Sequence, residues 1–210
     1  MSTIYKNLTL GVVGGGQLGR MLIQAAIDLN IDVHVLDPDA NAPCRDIATQ
    51  FTQGSLTDAG TVYKFAQACD VITIEIENVS TEALQKLREE GKKVCPEPNV
   101  ISLIQDKREQ KQFYQQHGIP TAPFVLTEQK SDLEQHQDMF PAVQKLGRAG
   151  YDGRGVQKIQ SAEDISKGFD QPGLLERLID FEKELAVIVA RNPSGEVKAF
   201  PVTELVFHPE

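Results

Sequence analysis

Leu8-Thr9-Leu10-Gly11-Val12-Val13-Gly14-Gly15-Gly16-Gln17-Leu18-Gly19-Arg20-Met21-Leu22 is the stretch on which the reading of the fold turns. The short apolar run from Leu8 to Val13 reads as a strand that stops at glycine. Beyond the glycines, Leu18, Met21, Leu22, Ala25, Ala26 and Leu29 recur at helical spacing, which predicts a helix with these residues on its inward face. Ile31 to Leu36 reads as a second strand, and the three elements make one βαβ unit. Gly14 to Gly19 satisfies G-x-G-x-x-G between strand and helix, and Asp37 follows the second strand about twenty residues on. A tight turn that exposes the first N–H groups of a helix favours an anion such as phosphate, without saying which molecule carries it. Two plainer readings stand beside this one. The glycines would also serve a close-packed βα turn, and Asp37-Pro38-Asp39 would initiate a turn instead of holding a ribose. Arg20 reads as a solvated helix residue.

Working outward, the alternation continues with a helix over Ala59 to Ala68, a strand over Val71 to Ile76, a helix over Thr81 to Glu90 and a strand at Lys93 to Cys95. This predicts a parallel, doubly wound sheet. Cys95-Pro96-Glu97-Pro98 interrupts the pattern, which puts a first domain at residues 1–98 and a second at 99–210. A helix from Asp106 to His117 ends at Gly118 and Pro120. From there the reading turns to α+β: strand Phe124 to Thr127, helix Ser131 to Met139, strand Ala142 to Lys145, strands at Val156 to Ile159 and Leu174 to Glu176, and two longer strands, Lys183 to Ala190 and Val197 to Leu205. The chain stops at Phe207-His208-Pro209-Glu210, directly after a strand, and reads as cut short.

The formal net charge of −9 argues against a general nucleic-acid surface, which needs clustered Lys and Arg. Cys44, Cys69 and Cys95 show neither CxxC nor paired Cys/His spacing, so no metal site is expected and reduced thiols in the cytoplasm are. Met1 to Asn7 is polar, and no run approaches the roughly 18 apolar residues of a membrane span. Neither secretion nor anchoring is expected.

A second glycine loop carries more chemistry. Lys145-Leu146-Gly147-Arg148-Ala149-Gly150-Tyr151-Asp152-Gly153-Arg154-Gly155 packs four glycines and three cations into eleven residues after a short strand. A tight hairpin needs only one or two glycines. The excess, with its cations, reads as a mobile flap that closes over a triphosphate, excludes water and stabilises charge as a phosphoryl group moves. An exposed flexible hairpin is the plainer reading. Asp152 would repel a phosphate unless it has another task, such as orienting an amine. Lys107 opens a helix where a cation opposes the helix dipole, so a ligand anion would explain it as well as a solvated surface would. Lys111 is less specific still. In Glu176-Arg177-Leu178-Ile179, backbone at a strand end can read an adenine edge, and Glu182 and Glu184 can hold ribose hydroxyls or form a solvated strand face. His34, His117, His136 and His208 show no ligand spacing.

A βαβ domain, an Asp-Lys-opened helix, a strand ending in lysine before a glycine flap, then Glu-x-x-Ile and a further Glu: this order resembles the ATP-grasp superfamily. Gly15-Gly16-Gln17-Leu18-Gly19-Arg20-Met21, Glu75-Ile76-Glu77-Asn78 and Gly150-Tyr151-Asp152-Gly153-Arg154-Gly155 narrow the resemblance to the N5-carboxyaminoimidazole ribonucleotide synthetase family of purine (IMP) biosynthesis. It runs over nearly the whole chain. It implies a Rossmann-like pre-ATP-grasp domain followed by an incomplete ATP-grasp domain, and a ligase that forms a C–N bond. The implied substrates are Mg-ATP, bicarbonate and 5-aminoimidazole ribonucleotide, with carboxyphosphate as intermediate and a carbamate as product.

On the same resemblance, Lys107 and Lys145 would contact ATP phosphates under a flap of Gly150, Tyr151, Asp152, Gly153, Arg154, Gly155 and Val156. Glu176, Arg177, Leu178 and Ile179 would read adenine, and Glu184 would bind ribose. Gln17, Leu18, Glu75, Asp152 and Arg154 would form the ribonucleotide side, with Asp152 and Arg154 catalytic and Asp152 near the attacking amine. Val156 stands where some relatives place Gln. The Mg2+ ligands, bicarbonate residues and basic residues for the substrate phosphate would lie beyond residue 210, so the chain is expected not to turn over by itself; the full-length protein would be a homodimer. Three rivals remain at this point: an NAD-dependent oxidoreductase, a related ATP-grasp ligase or formate-dependent transformylase, and a non-catalytic nucleotide-binding module.

Overall fold

The computed structural model describes residues 8–148 and 155–206. The first sheet contains β1 (Thr9–Val13), β2 (Asp32–Asp37), β3 (Gln50–Gln53), β4 (Val71–Ile74) and β5 (Lys93–Val94) in the order β3-β2-β1-β4-β5. All four pairings are parallel, so the expected doubly wound α/β domain is present. Val12 and Val13, both fully buried, show why helices cover both faces. Successive strand residues point to opposite sides. Val12 packs with Ile23 and Ala26 of α1 (Gln17–Ile27). Val13 packs with Val62 and Phe65 of α2 (Ala59–Ala66) and with Leu84 and Leu87 of α3 (Thr81–Glu89).

The inward face of α1 differs from the predicted one. Gly19, Ile23 and Ala26 are buried, while Leu18 is 65% and Met21 56% exposed, and Leu29 is exposed as well. The start of the helix lies close against the segment between β2 and β3 and needs a small residue there: a Cβ on Gly19 would stand 2.9 Å from Cys44 Sγ. β3 has no counterpart among the sequence expectations. Nor has α4 (Pro98–Gln105), whose Pro98 fits the first helical turn. Ile101 of α4 lies in the same core as Val13 and Leu84, so that core extends past the Cys95–Pro98 stretch.

Asp106 then caps α5 (Lys107–Gln116), its Oδ1 accepting from Arg108 N at 3.0 Å. The second sheet holds β6 (Phe124–Thr127), β7 (Ala142–Leu146), β8 (Val156–Ile159) and β9 (Gly173–Arg177) in the order β6-β9-β7-β8, all antiparallel. One face carries a core of Leu133, Met139, Ala142, Ile159 and Leu175. The segment Lys130–Met139, expected as an α-helix, is 3-10 in character with a non-helical residue at His136. Only Leu133 and Met139 are buried in it, and without an apolar stripe little packing favours a regular α-helix. The two long strands expected at the end are each broken. β10 (Glu184–Ala186) pairs with β13 (Thr203–Leu205), and β11 (Val189–Arg191) with β12 (Val197–Ala199). Pro201 has no N–H to give a ladder, and the break falls beside it.

Cys44 and Cys69 are buried and Cys95 is exposed. Burial is the main cause that pushes the Cys44 and Cys69 thiols up to about 11, so both stay protonated at pH 8. A thiol reagent at that pH is expected to label one cysteine rapidly in the folded chain and all three in denaturant. Rapid labelling of two or more under native conditions contradicts the packing described.

Candidate functional site

Two sets of candidate residues come together, one at each sheet. The first lies at the carboxyl end of β1 and β4, where the strand order reverses and open parallel sheets place their ligands. Gly14 has φ +107 and donates its N–H to Leu36 O at 2.9 Å, which starts the turn. Gly16 is the N-cap of α1 and supplies no side-chain cap, whereas Asp58 and Ser80 cap α2 and α3. The start of α1, with Gln17 and Leu18 exposed on it, therefore keeps N–H groups for an anion.

Glu75 follows β4, its N–H donating to Val13 O at 2.9 Å. Its carboxylate lies over the loop, 2.6 Å and 3.0 Å from where a Cβ on Gly16 and on Gly14 would stand. Asp37 organises the loop. Its Oδ2 accepts from Gly15 N at 2.7 Å and its Oδ1 from Asp39 N at 2.8 Å, so the turn-forming reading is the one the structure bears out.

The second set sits on the second sheet, on the face opposite its core. Residues i and i+2 share a face of a strand, which puts Lys145 of β7 and Glu176 of β9 on one side: Val143 pairs with Glu176 and Lys145 with Leu174. Lys145 Nζ reaches Glu176 Oε1 at 3.0 Å. α5 lies against β9, and Lys111, one turn after Lys107, brings its Nζ to 2.5 Å from Glu176 Oε2 as an ion pair. Lys111 and Glu176 are 13% and 15% exposed, against 28% for Lys145. Burial would raise the Glu176 carboxyl, but the Lys111 and Lys145 ammonium groups outweigh it and hold the carboxyl below its ordinary range.

Because the folded value is the lower one, ionised Glu176 contributes stability at neutral pH, and that contribution fades as pH falls through the carboxylate range. A Glu176→Gln variant is expected to show a flatter acid limb when urea midpoints are followed from pH 7 to pH 3. An unchanged slope would contradict the pairing.

Lys107 donates its backbone N–H to Gly147 O at 2.8 Å, docking the start of α5 on the end of β7. Gly147, expected to be a mobile donor, is buried, and its N–H donates to Pro172 O at 3.0 Å. Arg148 pairs with Asp106 at 3.0 Å. Val156 is directly opposite Lys145. Of the adenine candidates, Glu176 is engaged by the lysines. Arg177 turns to the other face, where its Nη2 donates to Asp138 O at 3.1 Å, and the N–H of Leu178 donates to Pro141 O at 3.0 Å. Ile179 and Glu184 are exposed. The assignments at Gly150, Tyr151, Asp152, Gly153 and Arg154 lie outside the described residues. Sequence reasoning passed over Lys111; its i,i+4 spacing from Lys107 was the available signal. Among the described residues no three His, Cys, Asp or Glu side chains gather as a metal site, and no helix is long and apolar enough to cross a membrane.

Residues 7–105 match the family model of the ribonucleotide synthetase preATP-grasp domain, and residues 112–208 match that of the ATP-grasp domain. The chain is 41% identical over 201 residues to the N5-carboxyaminoimidazole ribonucleotide synthase of Synechococcus elongatus, covering 93% of this chain and 51% of the relative. The chain belongs to the N5-carboxyaminoimidazole ribonucleotide synthetase family. It spans about half the length of that curated relative.

Two solved structures of the family superimpose closely. The Aspergillus clavatus carboxyaminoimidazole ribonucleotide synthase complexed with ATP has a TM-score of 0.88 and 36% identity, covering 96% of this chain and 55% of that one. The same organism's enzyme in complex with ADP and 5-aminoimidazole ribonucleotide has a TM-score of 0.85 and 35% identity, covering 96% and 54%. The expected order, a Rossmann-like pre-ATP-grasp domain followed by part of an ATP-grasp domain, is thus that of the N5-carboxyaminoimidazole ribonucleotide synthetases.

Proposed function

We propose that this chain carries the nucleotide-facing and ribonucleotide-facing parts of an ATP-dependent ligase that converts 5-aminoimidazole ribonucleotide and bicarbonate to N5-carboxyaminoimidazole ribonucleotide. The observation that carries this reading is the Lys111–Glu176–Lys145 cluster at the foot of the second glycine loop, which an NAD-binding domain does not require. In the reaction, a bicarbonate oxygen takes the γ-phosphoryl group of ATP, giving carboxyphosphate and ADP. The amine nitrogen of the ribonucleotide then attacks the carboxyl carbon, phosphate leaves, and the nitrogen loses a proton.

No protein nucleophile takes part; positioning and charge neutralisation supply the acceleration. Lys107 and Lys145 hold the phosphates beneath Gly150–Val156. The strand-end backbone of Glu176–Ile179 reads the adenine edge, without the Glu176 carboxylate or the Arg177 side chain, which turns to the other face, and Glu184 holds ribose. Gln17, Leu18 and Glu75 face the aminoimidazole ribonucleotide at the start of α1, with Asp152 receiving the amine proton and Arg154 steadying charge. The family likeness supports Mg2+ with ligands in the region of the relatives that this chain does not span, a homodimeric assembly and a cytoplasmic setting.

The test supplies ATP, 5-aminoimidazole ribonucleotide and labelled bicarbonate to a polypeptide of the relatives' length. Label captured in an acid-labile carbamate, with phosphate release that requires all three substrates, bears the reading out. Formate consumed in place of bicarbonate assigns a transformylase instead, and binding of NADH without any response to ATP sinks both.

A further inference from the structure

Glu176 is held by two lysines that differ in how easily they can let go. Lys145 is the more exposed of the pair and stands at the end of β7, where the second glycine loop begins. Lys111 is more buried and is held from three sides. Its ammonium pairs with Glu176 Oε2 at 2.5 Å, it donates to Thr121 Oγ1, and it lies 5.7 Å from the centre of the Phe124 ring. Phe124 is itself the β6 residue directly opposite Glu176. An anion arriving above the sheet therefore competes with Glu176 for Lys145, while Lys111 stays fixed.

Resting on the ATP reading above, we propose that Lys111 is a positioning residue, neutralising Glu176 so that Lys145 can transfer to a nucleotide phosphate. Were Lys145 the only partner of Glu176, its departure would strand a largely buried carboxylate without a counter-charge, a cost that would be charged against nucleotide binding. With Lys111 in place the carboxylate keeps one cation before and after the exchange. Lys111 touches no phosphate itself. It acts through Glu176, and its effect depends on how many phosphates the ligand brings to Lys145.

The test is calorimetric titration of a polypeptide of the relatives' length with ATP, ADP, AMP and adenosine, for the unmodified protein and for Lys111→Met, Lys111→Arg, Glu176→Gln and the Lys111→Met/Glu176→Gln pair. Lys111→Met is expected to weaken ATP and ADP about tenfold and to leave adenosine within about twofold, and Lys111→Arg to restore most of the loss. In the Glu176→Gln background, Lys111→Met is expected to cost nothing further, because no charged carboxylate remains to be held. Should Lys111→Met fail to fold, Lys111→Gln removes the charge while keeping a donor for Glu176 and Thr121. Equal weakening of ATP and adenosine overturns the proposal, as does a loss that persists in the Glu176→Gln background. An unmodified polypeptide of that length that binds no ATP overturns the ATP reading itself, a result distinct from both.

Discussion

Gly173→Ala is expected to destabilise the second sheet by about 3 kcal/mol, the upper range for overpacking a well-filled site, and to displace the candidate nucleotide site with it. A Cβ on Gly173 would stand 2.2 Å from Lys145 O, 3.2 Å from Lys145 C and 3.3 Å from Leu146 Cα. These are backbone atoms of the paired strand, and no side chain can rotate away to relieve the overlap. β7 and β9 pair through Leu146 and Gly173, and the hydrogen bond from Gly147 N to Pro172 O lies beside that pair. Ala can enter only if the strands part, which moves Lys145 from Glu176. The urea midpoint measures the stability, and a titration with ATP on whatever remains folded measures the site. A variant with an unaltered midpoint would mean that β7 and β9 do not approach as described.

Gly173 also marks a limit of reading from sequence. Pro172-Gly173 looks like an ordinary turn before a strand, and nothing local says that a carbonyl from a strand far away in the chain will press on that Cα. Most of the parallel sheet was legible because its signals are local: β1 stops at glycine, α1 opens on glycine, and β2, α2, β4, α3 and β5 declare themselves, whereas the short edge strand β3 does not. The inward face of α1 was not. Apolar count favoured Leu18, Met21 and Leu29, whereas the buried residues are Gly19, against Cys44 of the segment between β2 and β3, and Ile23 and Ala26, in one core with Val12, Val33 and Val35. Hydrophobicity is a preference of a residue, but closeness of packing belongs to two elements together.

The candidate site divides in the same way. Lys145 and the glycine loop after it stood out because composition there exceeds what a turn needs, and Glu75 was reached through the resemblance. Lys111 did not stand out, since its meaning arises only when β6, β9 and α5 meet and place Thr121, Phe124 and Glu176 around one ammonium group. Asp37 was open to two interpretations that share one sequence pattern. Two hydrogen bonds, from Gly15 and Asp39 N–H groups, show the turn that one of them requires.

Lys145→Met carries the second large effect, and it separates the nucleotide readings most directly. Loss of this cation is expected to weaken ATP between roughly ten- and a hundredfold, the range for a charge-assisted contact to phosphate. Folding should suffer little, because Glu176 keeps Lys111 at 2.5 Å and so is not left uncompensated. An oxidoreductase reading predicts the opposite pattern: its cofactor would sit at Gly14–Gly19 on the first sheet, and a substitution on β7 would leave dinucleotide binding untouched. The same titration with NADH supplies that arm. ATP affinity unaltered by Lys145→Met would detach the Lys145–Glu176 pair from nucleotide binding and reduce it to a structural ion pair. A large loss for ATP, with a stable fold and no response to NADH, leaves Gly14–Gly19 free to face the other substrate. On the proposed reading, the exposed Gln17 and Leu18 and the Glu75 carboxylate over the loop would then face the aminoimidazole ribonucleotide.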